Sequence, residues 1–162
     1  MKIFAIDPGN IESAYCIMDE EYRLIEFAKL QNKEVMKILL DKLCEMDRVV
    51  IERIASYGMP VGREVFDTCE WIGRFSQEAE KSVEVEYIFR KDEKMYICGD
   101  TRAKDANIRL ALIDRFAKHD FKSGKGTKKN PDYFYGVSAD VWAAIAVAVS
   151  YLDMAKEKGL CS

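Results

Sequence analysis

The chain has 162 residues, of which 49% are hydrophobic, and a formal net charge of −3. This length suits one domain with a sizeable core, and we assign residues 1–162 to a single domain. There is no apolar run of about 20 residues and no basic, apolar leader, which argues against a membrane span or a secretory signal and predicts a soluble cytoplasmic protein. The five cysteines are widely spaced without a CxxC pair, so we expect core thiols rather than disulfides or a zinc site.

The hydrophobic pattern predicts an alternation of strands and helices along the chain. In chain order we expect strands over 2–7, 13–18 and 22–28, a helix capped by Asn32, a strand over 49–52, a helix over 61–81, a strand over 83–89, a helix over 101–118, an irregular segment over 120–136 and a last helix over 138–156. The predicted fold class is therefore α/β: a mixed five-stranded sheet, made of a three-stranded antiparallel meander plus two parallel strands, flanked by helices.

Three acidic residues stand next to sequence that must be buried. Asp7 ends the first apolar strand and begins the turn Asp7-Pro8-Gly9, Glu52 ends the fourth strand, and Asp140 opens the last helix. If the first and fourth strands are neighbours, their C-terminal ends meet and the three acids converge. Carboxylates gathered at the edge of a core repel one another unless a cation offsets them, and hard oxygen ligands favour magnesium or manganese. The pattern predicts metal-dependent phosphodiester chemistry.

Ordinary structural roles are the alternatives for two of these acids. Asp140 can interact favourably with the dipole of the helix that it opens. Glu52 can form an ion pair with Arg48 or Arg53.

The basic residues are unevenly distributed. Residues 88–130 contain 12 basic and 6 acidic residues, whereas the whole chain is acidic. This asymmetry permits an electropositive face that contacts phosphates, and the alternative is a solvated surface. The residues that we predict to contact DNA on this basis are Arg90, Lys91, Arg102, Lys122, Lys125, Lys128 and Lys129. Tyr57, which follows Glu52, is a candidate for stacking on an unpaired base, with ordinary packing as its alternative.

Several motifs together resemble the RuvC family of Holliday junction resolvases, especially its phage-type members, within the RNase H-like (retroviral integrase) superfamily. The matching elements are Ile6-Asp7-Pro8-Gly9, Ile51-Glu52, Lys94, Lys104 and the run from Ser138 to Ala146. They span nearly the whole chain in the right order. The resemblance implies a homodimer that makes paired nicks in four-way DNA junctions, in a bacterial host cell if the protein is phage-encoded.

The resemblance also assigns roles to individual residues. It implies that Asp7, Glu52 and Asp140 are catalytic metal ligands for two Mg²⁺ ions, with Mn²⁺ as a substitute, and that Lys94 and Lys104 are catalytic basic residues near the scissile phosphate. One departure concerns Val137, which stands where many relatives have an acid or a histidine. Water, Ser138 or Asp132 are the alternatives for the missing ligand.

Other functions share parts of this pattern. A related RNase H-like nuclease that acts on another nucleic acid would have the same acids, and the loss of a ligand at Val137 would also suit a catalytically weak module that binds branched DNA. An actin-like or sugar-kinase-like phosphotransferase also begins with a strand followed by Asp-x-Gly, but such enzymes need two domains of this size.

Overall fold

The structure, a computed structural model, describes residues 1–56, 58–138 and 140–160. Its elements are β1 (Lys2–Asp7), β2 (Glu12–Asp19), β3 (Leu24–Gln31), α1 (Asn32–Lys42), β4 (Arg48–Arg53), α2 (Arg63–Ala79), β5 (Glu84–Phe89), α3 (Arg90–Cys98), α4 (Asp105–Phe116) and α5 (Val141–Glu157). The predicted α/β fold class is confirmed, and every strand lies within two residues of its expected start.

One mixed sheet organises the molecule, with the strand order β3-β2-β1-β4-β5. The first three strands form an antiparallel meander, and β4 and β5 continue from β1 in parallel. The pairing of β1 with β4 places Ile6 opposite Ile51. The C-terminal ends of these two buried strands therefore lie side by side, as the convergence of the acids requires.

Helices cover both faces of the sheet. On one face, Phe4 and Ile6 of β1 pack with residues of α1 and α2, and Phe75 is the largest fully buried side chain of α2. On the other face, Ile3 and Ala5 pack with α5, whose buried residues include many alanines that allow close approach to the strands. Helices α3 and α4 pack beside α5. The core thus lies in two layers that hold β1 and β4 rigidly.

The structure differs from the sequence-based expectation at several helices. Helix α3 was not expected, because its sequence is mostly charged. Asn32 is the first residue of α1 rather than its cap, which is Gln31. Asp140 is the residue before α5 and not part of its first turn. Helix α4 begins only at Asp105.

The expectation of core thiols is correct for one of the four described cysteines. Cys16 is buried, whereas Cys44 and Cys69 are exposed and Cys98 is intermediate; Cys161 lies outside the described residues. Within the described ranges, no helix combines the length and hydrophobicity needed to cross a membrane.

Candidate active site

The turn after β1 fixes the direction of Asp7. A methyl group on Gly9 would lie 2.2 Å from the carbonyl oxygen of Glu12, so the turn excludes larger residues at this position. The Gly9 amide donates to Ser13 Oγ at 3.1 Å, Ser13 Oγ donates to Asn32 Oδ1 at 2.6 Å, and Asn32 Nδ2 donates to the Gly9 carbonyl at 2.8 Å. Asn32 and Ser13 are both buried. A closed set of hydrogen bonds thus holds the turn that follows the carboxylate.

Asp7 and Glu52 are neighbours at the ends of β1 and β4. Burial raises the pKa of Asp7, and the charge of Glu52, a hydrogen bond shared with it and the charge of Asp140 raise it further, while Arg90 opposes the shift. The alternative partners of Glu52 are engaged elsewhere: Arg48 pairs with Glu84 at 2.9 Å, and Arg53 lies over the ring of Tyr87. Asp7 and Glu52 therefore lie together, and Arg90 is the cation that acts against the rise in the pKa of Asp7.

Asp140 reaches the same site from the start of α5. It is exposed and forms an ion pair with Lys29 of β3, which also lies 3.3 Å from Glu12. Its charge acts on Asp7. Lys29 thus offsets part of the negative charge of this acid, an interaction that the sequence pattern did not indicate.

A cavity of about 540 Å³ contains the three predicted acids. Asp7, Glu52 and Asp140 all line it, and its other lining residues are Arg90, Asp105, Ala106, Ile108, Arg109, Trp142, Ala143 and Ala146. The guanidinium of Arg109 lies 4.8 Å from the centre of the Trp142 ring, which forms one wall. The cavity therefore combines carboxylates with two arginines and an aromatic surface.

Arg90 connects the acids to α3. We expected it to contact DNA, and the structure places it in the cavity wall, paired with Glu93 and with Asp105, the latter at 2.7 Å. Glu93 is fully buried. Burial and then the charge of Glu52 raise the pKa of Glu93, and Arg90 opposes this. Asp105 and Arg109 line the cavity, and sequence reasoning missed them. It also missed Glu93, which is linked to the cavity through Arg90 and whose only signal was its place in a charged run directly after β5.

The two lysines implied by the resemblance lie outside this cavity. Lys94 is half-buried and lines a neighbouring hollow of about 260 Å³ with Arg90, Lys91 and Thr101. Lys104 is exposed and is the residue before α4. Arg90 lines both cavities, so the Lys94 hollow borders the acidic site through a shared side chain.

The remaining predicted DNA contacts lie on the surface. Lys91 and Arg102 are exposed, and Arg102 lies near Asp100. Tyr57 lies outside the described residues. Lys122, Lys128 and Lys129 are exposed and Lys125 is half-buried. Among the described residues, none of these four lysines has an ion-pair partner within 4 Å.

Two aspartates build the loop that carries these four lysines. Asp120 accepts hydrogen bonds from the amides of Lys122, Ser123, Lys125 and Gly126 and from the Ser123 hydroxyl. Asp132 accepts four more, from the amides of Lys118, His119, Asp120 and Tyr133 at 2.7–2.9 Å. The loop continues into Phe134, whose ring lies 4.3 Å from that of Trp142. An apparently irregular segment is thus an ordered platform beside the cavity.

The departure at Val137 has a structural consequence. Val137 is 1% exposed and belongs to the apolar core around α5. An acid there would point into the core unless the chain moved. Asp132 does not replace the missing ligand, because backbone amides use its carboxylate. Ser138 is exposed, and no described contact places it among the acids.

The donor set suits a hard divalent cation. Asp7, Glu52 and Asp140 provide carboxylate oxygens, and burial, followed by the charge of Glu52, raises the pKa of Asp7 against the opposing charge of Arg90. In the described ranges, no three Asp, Glu, His or Cys side chains are arranged as a complete metal site. The ion pair between Lys29 and Asp140 is one reason, because the third acid is directed to a lysine.

Comparison with known proteins identifies the fold. No protein-family model matches the chain, and no curated protein matches it. Among solved structures, Thermus thermophilus RuvC is 17% identical, with a TM-score of 0.64 over 98% of this chain and 97% of RuvC. T. thermophilus RuvC in complex with Holliday junction substrate is 14% identical, with a TM-score of 0.69 over 98% of this chain and 96% of RuvC. The chain has the fold of RuvC. The expected RNase H-like fold is confirmed, and identity this low leaves the activity to be argued from the site.

Proposed function

We propose that this protein is a divalent-metal-dependent endonuclease that resolves Holliday junctions and other branched DNA. The observation that carries the proposal is the convergence of Asp7, Glu52 and Asp140 on one cavity within a RuvC fold that spans the whole chain. The similar structure of RuvC with a Holliday junction substrate supports branched DNA as the substrate.

Asp7, Glu52 and Asp140 are the residues that would hold the metal. Asp7 and Glu52 are fixed by the rigid ends of β1 and β4, and Asp140 becomes available when it leaves Lys29. Bound Mg²⁺ or Mn²⁺, expected as two ions, would activate a water nucleophile and stabilise the leaving oxygen in an in-line displacement.

The basic residues around the cavity would bind and orient the DNA strand. Arg90 and Arg109 line the cavity, where guanidinium groups can contact phosphate oxygens. Lys91 and Lys94 extend this surface through the neighbouring hollow. Lys104 and Arg102 lie before α4, and we assign to Lys94 and Lys104 the stabilisation of charge near the scissile phosphate.

The lysine platform of residues 120–133, which carries Lys122, Lys125, Lys128 and Lys129, would contact the duplex arms. Its four lysines lack ion-pair partners among the described residues, and its backbone is ordered by Asp120 and Asp132 before any DNA binds. Phosphate contacts of this kind supply affinity without sequence preference and make binding sensitive to salt.

A homodimer would place two such sites on one junction. Among the described residues of the stretch 54–66, four large apolar side chains are exposed: Ile54, Met59, Val61 and Phe66, the last 63% exposed. Exposed apolar residues grouped in this way are typical of an interaction surface. Ile72 and Phe75, farther along α2, are buried in the core instead. Two-fold pairing through this surface would give the paired nicks that resolution requires.

Cleavage of three labelled nucleic-acid substrates tests the proposal. Labelled four-way junction, linear duplex and RNA–DNA hybrid are incubated with the protein, with and without Mg²⁺. We expect cleavage of the junction only, with Mg²⁺ present. Preferential cleavage of the hybrid would identify a related nuclease with another substrate, and junction binding without cleavage in Mg²⁺ or Mn²⁺ would identify a binding module; either result contradicts the proposal.

A further inference from the structure

Glu93 is a buried carboxylate, and only one of its two oxygens accepts a hydrogen bond from the described residues. Its side chain is fully buried, although most of α3 is charged and exposed or half-buried. Oε2 accepts a hydrogen bond from Arg90, whereas Oε1 is buried and has no hydrogen-bond partner among the described residues. Buried polar atoms are nearly always paired, and buried charges are paired or bind metals. The free oxygen therefore points to a missing partner.

The fold brings Glu93 to the acidic site. Strand β5 lies parallel to β4, with Ile88 in register with Glu52. Helix α3 begins immediately after β5, so Glu93 lies in the first turn of a helix that starts beside the end of β4. Its charge interacts with those of Glu52 and Asp7. Glu93 is thus linked to the carboxylates of the cavity by Arg90, which pairs with it and lines the cavity.

Carboxyl groups outnumber cations around Arg90. The Arg90 guanidinium pairs with Glu93 and Asp105 and also interacts with Glu52 and Asp7. One cation therefore faces four carboxylates. A divalent cation would supply the charge that is lacking, and an unpaired carboxylate oxygen is a ligand that such a cation prefers.

We propose that Glu93 is a further metal-binding carboxylate of this site, which takes up the divalent cation through Oε1 together with Asp7 and Glu52. In the structure no three described carboxylates form a complete site, so the side chains move together when the cation binds. The inference rests on the proposed metal-dependent function and adds a residue to it. It also accounts for the apolar residue at Val137: a carboxylate supplied by α3 makes one before α5 unnecessary.

A purely structural role for Glu93 is the alternative, in which it only holds Arg90 in place. The two roles give opposite expectations for Arg90→Met. If Glu93 is a ligand, removal of the guanidinium removes a competing cation, so metal binding is kept or strengthened. If Glu93 acts only through Arg90, Arg90→Met loses metal affinity to the same extent as Glu93→Gln.

Titration calorimetry with Mn²⁺ on the full chain distinguishes these cases. We expect Glu93→Gln to weaken Mn²⁺ binding about 10- to 100-fold, the range typical of supporting groups at metal sites. Arg90→Met should bind Mn²⁺ at least as tightly as the unaltered protein. Glu84→Gln is the matched control, because Glu84 is an exposed acid of β5 that pairs with Arg48; its Mn²⁺ affinity should be unchanged.

Thermal melting in EDTA and in Mn²⁺ provides a second readout. The rise in melting temperature caused by Mn²⁺ should be smaller in Glu93→Gln, whatever its melting temperature in EDTA. Glu93→Asp keeps the charge and should recover part of the rise in melting temperature caused by Mn²⁺. This variant replaces Glu93→Gln in the test if Glu93→Gln folds poorly. Unchanged Mn²⁺ affinity in Glu93→Gln, or an equal loss in Arg90→Met, would overturn the inference. Failure of the unaltered protein to bind Mn²⁺ or to cut DNA would instead refute the proposed function.

Discussion

Asp7 and Glu52 lie side by side at the ends of two adjacent parallel strands, one residue beyond the paired Ile6 and Ile51. Burial and the neighbouring charge of Glu52 raise the pKa of Asp7, so the ionised form of Asp7 is disfavoured. The rigidity of β1 and β4 keeps them together in spite of this cost. A bound cation would offset this cost, and without a cation the cost lowers the free energy of unfolding.

Asp7→Asn should stabilise the protein in the absence of metal. The raised pKa of Asp7 means that its ionised form is disfavoured in the folded state, so replacing the carboxylate by an uncharged amide removes this penalty at mildly alkaline pH. We expect the melting temperature in EDTA to rise by about 2–4 °C, which corresponds to roughly 1 kcal/mol for a chain of this size. Asp41→Asn, at an exposed acid of α1, is the control and should have little effect. A lower melting temperature for Asp7→Asn would show that the charge is already compensated.

Lys29→Met should make the site easier to load with metal. Lys29 forms ion pairs with Asp140 and Glu12, so its removal frees the Asp140 carboxylate and increases the local negative charge. We expect half-maximal cleavage at a several-fold lower Mg²⁺ concentration. Lys33→Met, at an exposed lysine of α1, is the matched control. If Lys29→Met needs more Mg²⁺ than the unaltered protein, then Lys29 holds Asp140 in its working position rather than competing for it.

The double variant Lys128→Gln with Lys129→Gln should reduce the salt dependence of DNA binding. If each lysine contacts one phosphate, the slope of log K against log salt concentration falls by about 0.9 per lysine, or roughly 2 in total. Fluorescence anisotropy with a labelled junction measures this slope. The double variant Lys33→Gln with Lys37→Gln, which removes the same charge from α1, should keep the original slope. If the two double variants have equal slopes, the lysine platform does not contact DNA.

The sheet and the positions of Asp7 and Glu52 at strand ends were predictable because their signals are local. Apolar runs identify β1 and β4 as buried, and an acid at the end of such a run is conspicuous. The adjacency of these strands was an assumption that the structure confirms. Helix α3 was missed because its charged sequence has few apolar residues at helical spacing, and the burial of Glu93 results from the packing of α3 against other elements.

Asn32 is a residue whose role was wrongly predicted from its position in the sequence. Asparagine before an apolar periodic segment is typical of a helix cap. Here its side chain instead bonds Gly9 and Ser13, residues brought near by the pairing of β2 with β3. Similarly, the sequence 120–136 indicates an irregular loop, but two aspartates order it through backbone amides at distances of up to 14 residues along the chain. Such contacts depend on the folded chain.

Asp132→Asn should reduce stability, most strongly above acidic pH. Burial alone would raise the pKa of Asp132, but the amides of Asp120, His119, Lys118 and Tyr133 outweigh it and hold the pKa below its usual range. The stability contributed by this carboxylate is therefore present above the unfolded-state pKa of about 3.9 and is lost as the pH falls through the lower folded-state value. Melting curves across this range should show a flatter pH dependence for Asp132→Asn. An unchanged pH dependence would contradict the assigned role.

The most direct test of the account is cleavage of a labelled four-way junction by the unaltered protein and by Asp7→Asn, each with and without Mg²⁺. The account predicts paired nicks in opposite strands by the unaltered protein with Mg²⁺, no cleavage without it, and no cleavage by an Asp7→Asn variant that still folds and binds the junction. Cleavage by Asp7→Asn near the unaltered rate, or no cleavage by the unaltered protein in Mg²⁺ or Mn²⁺, would contradict it.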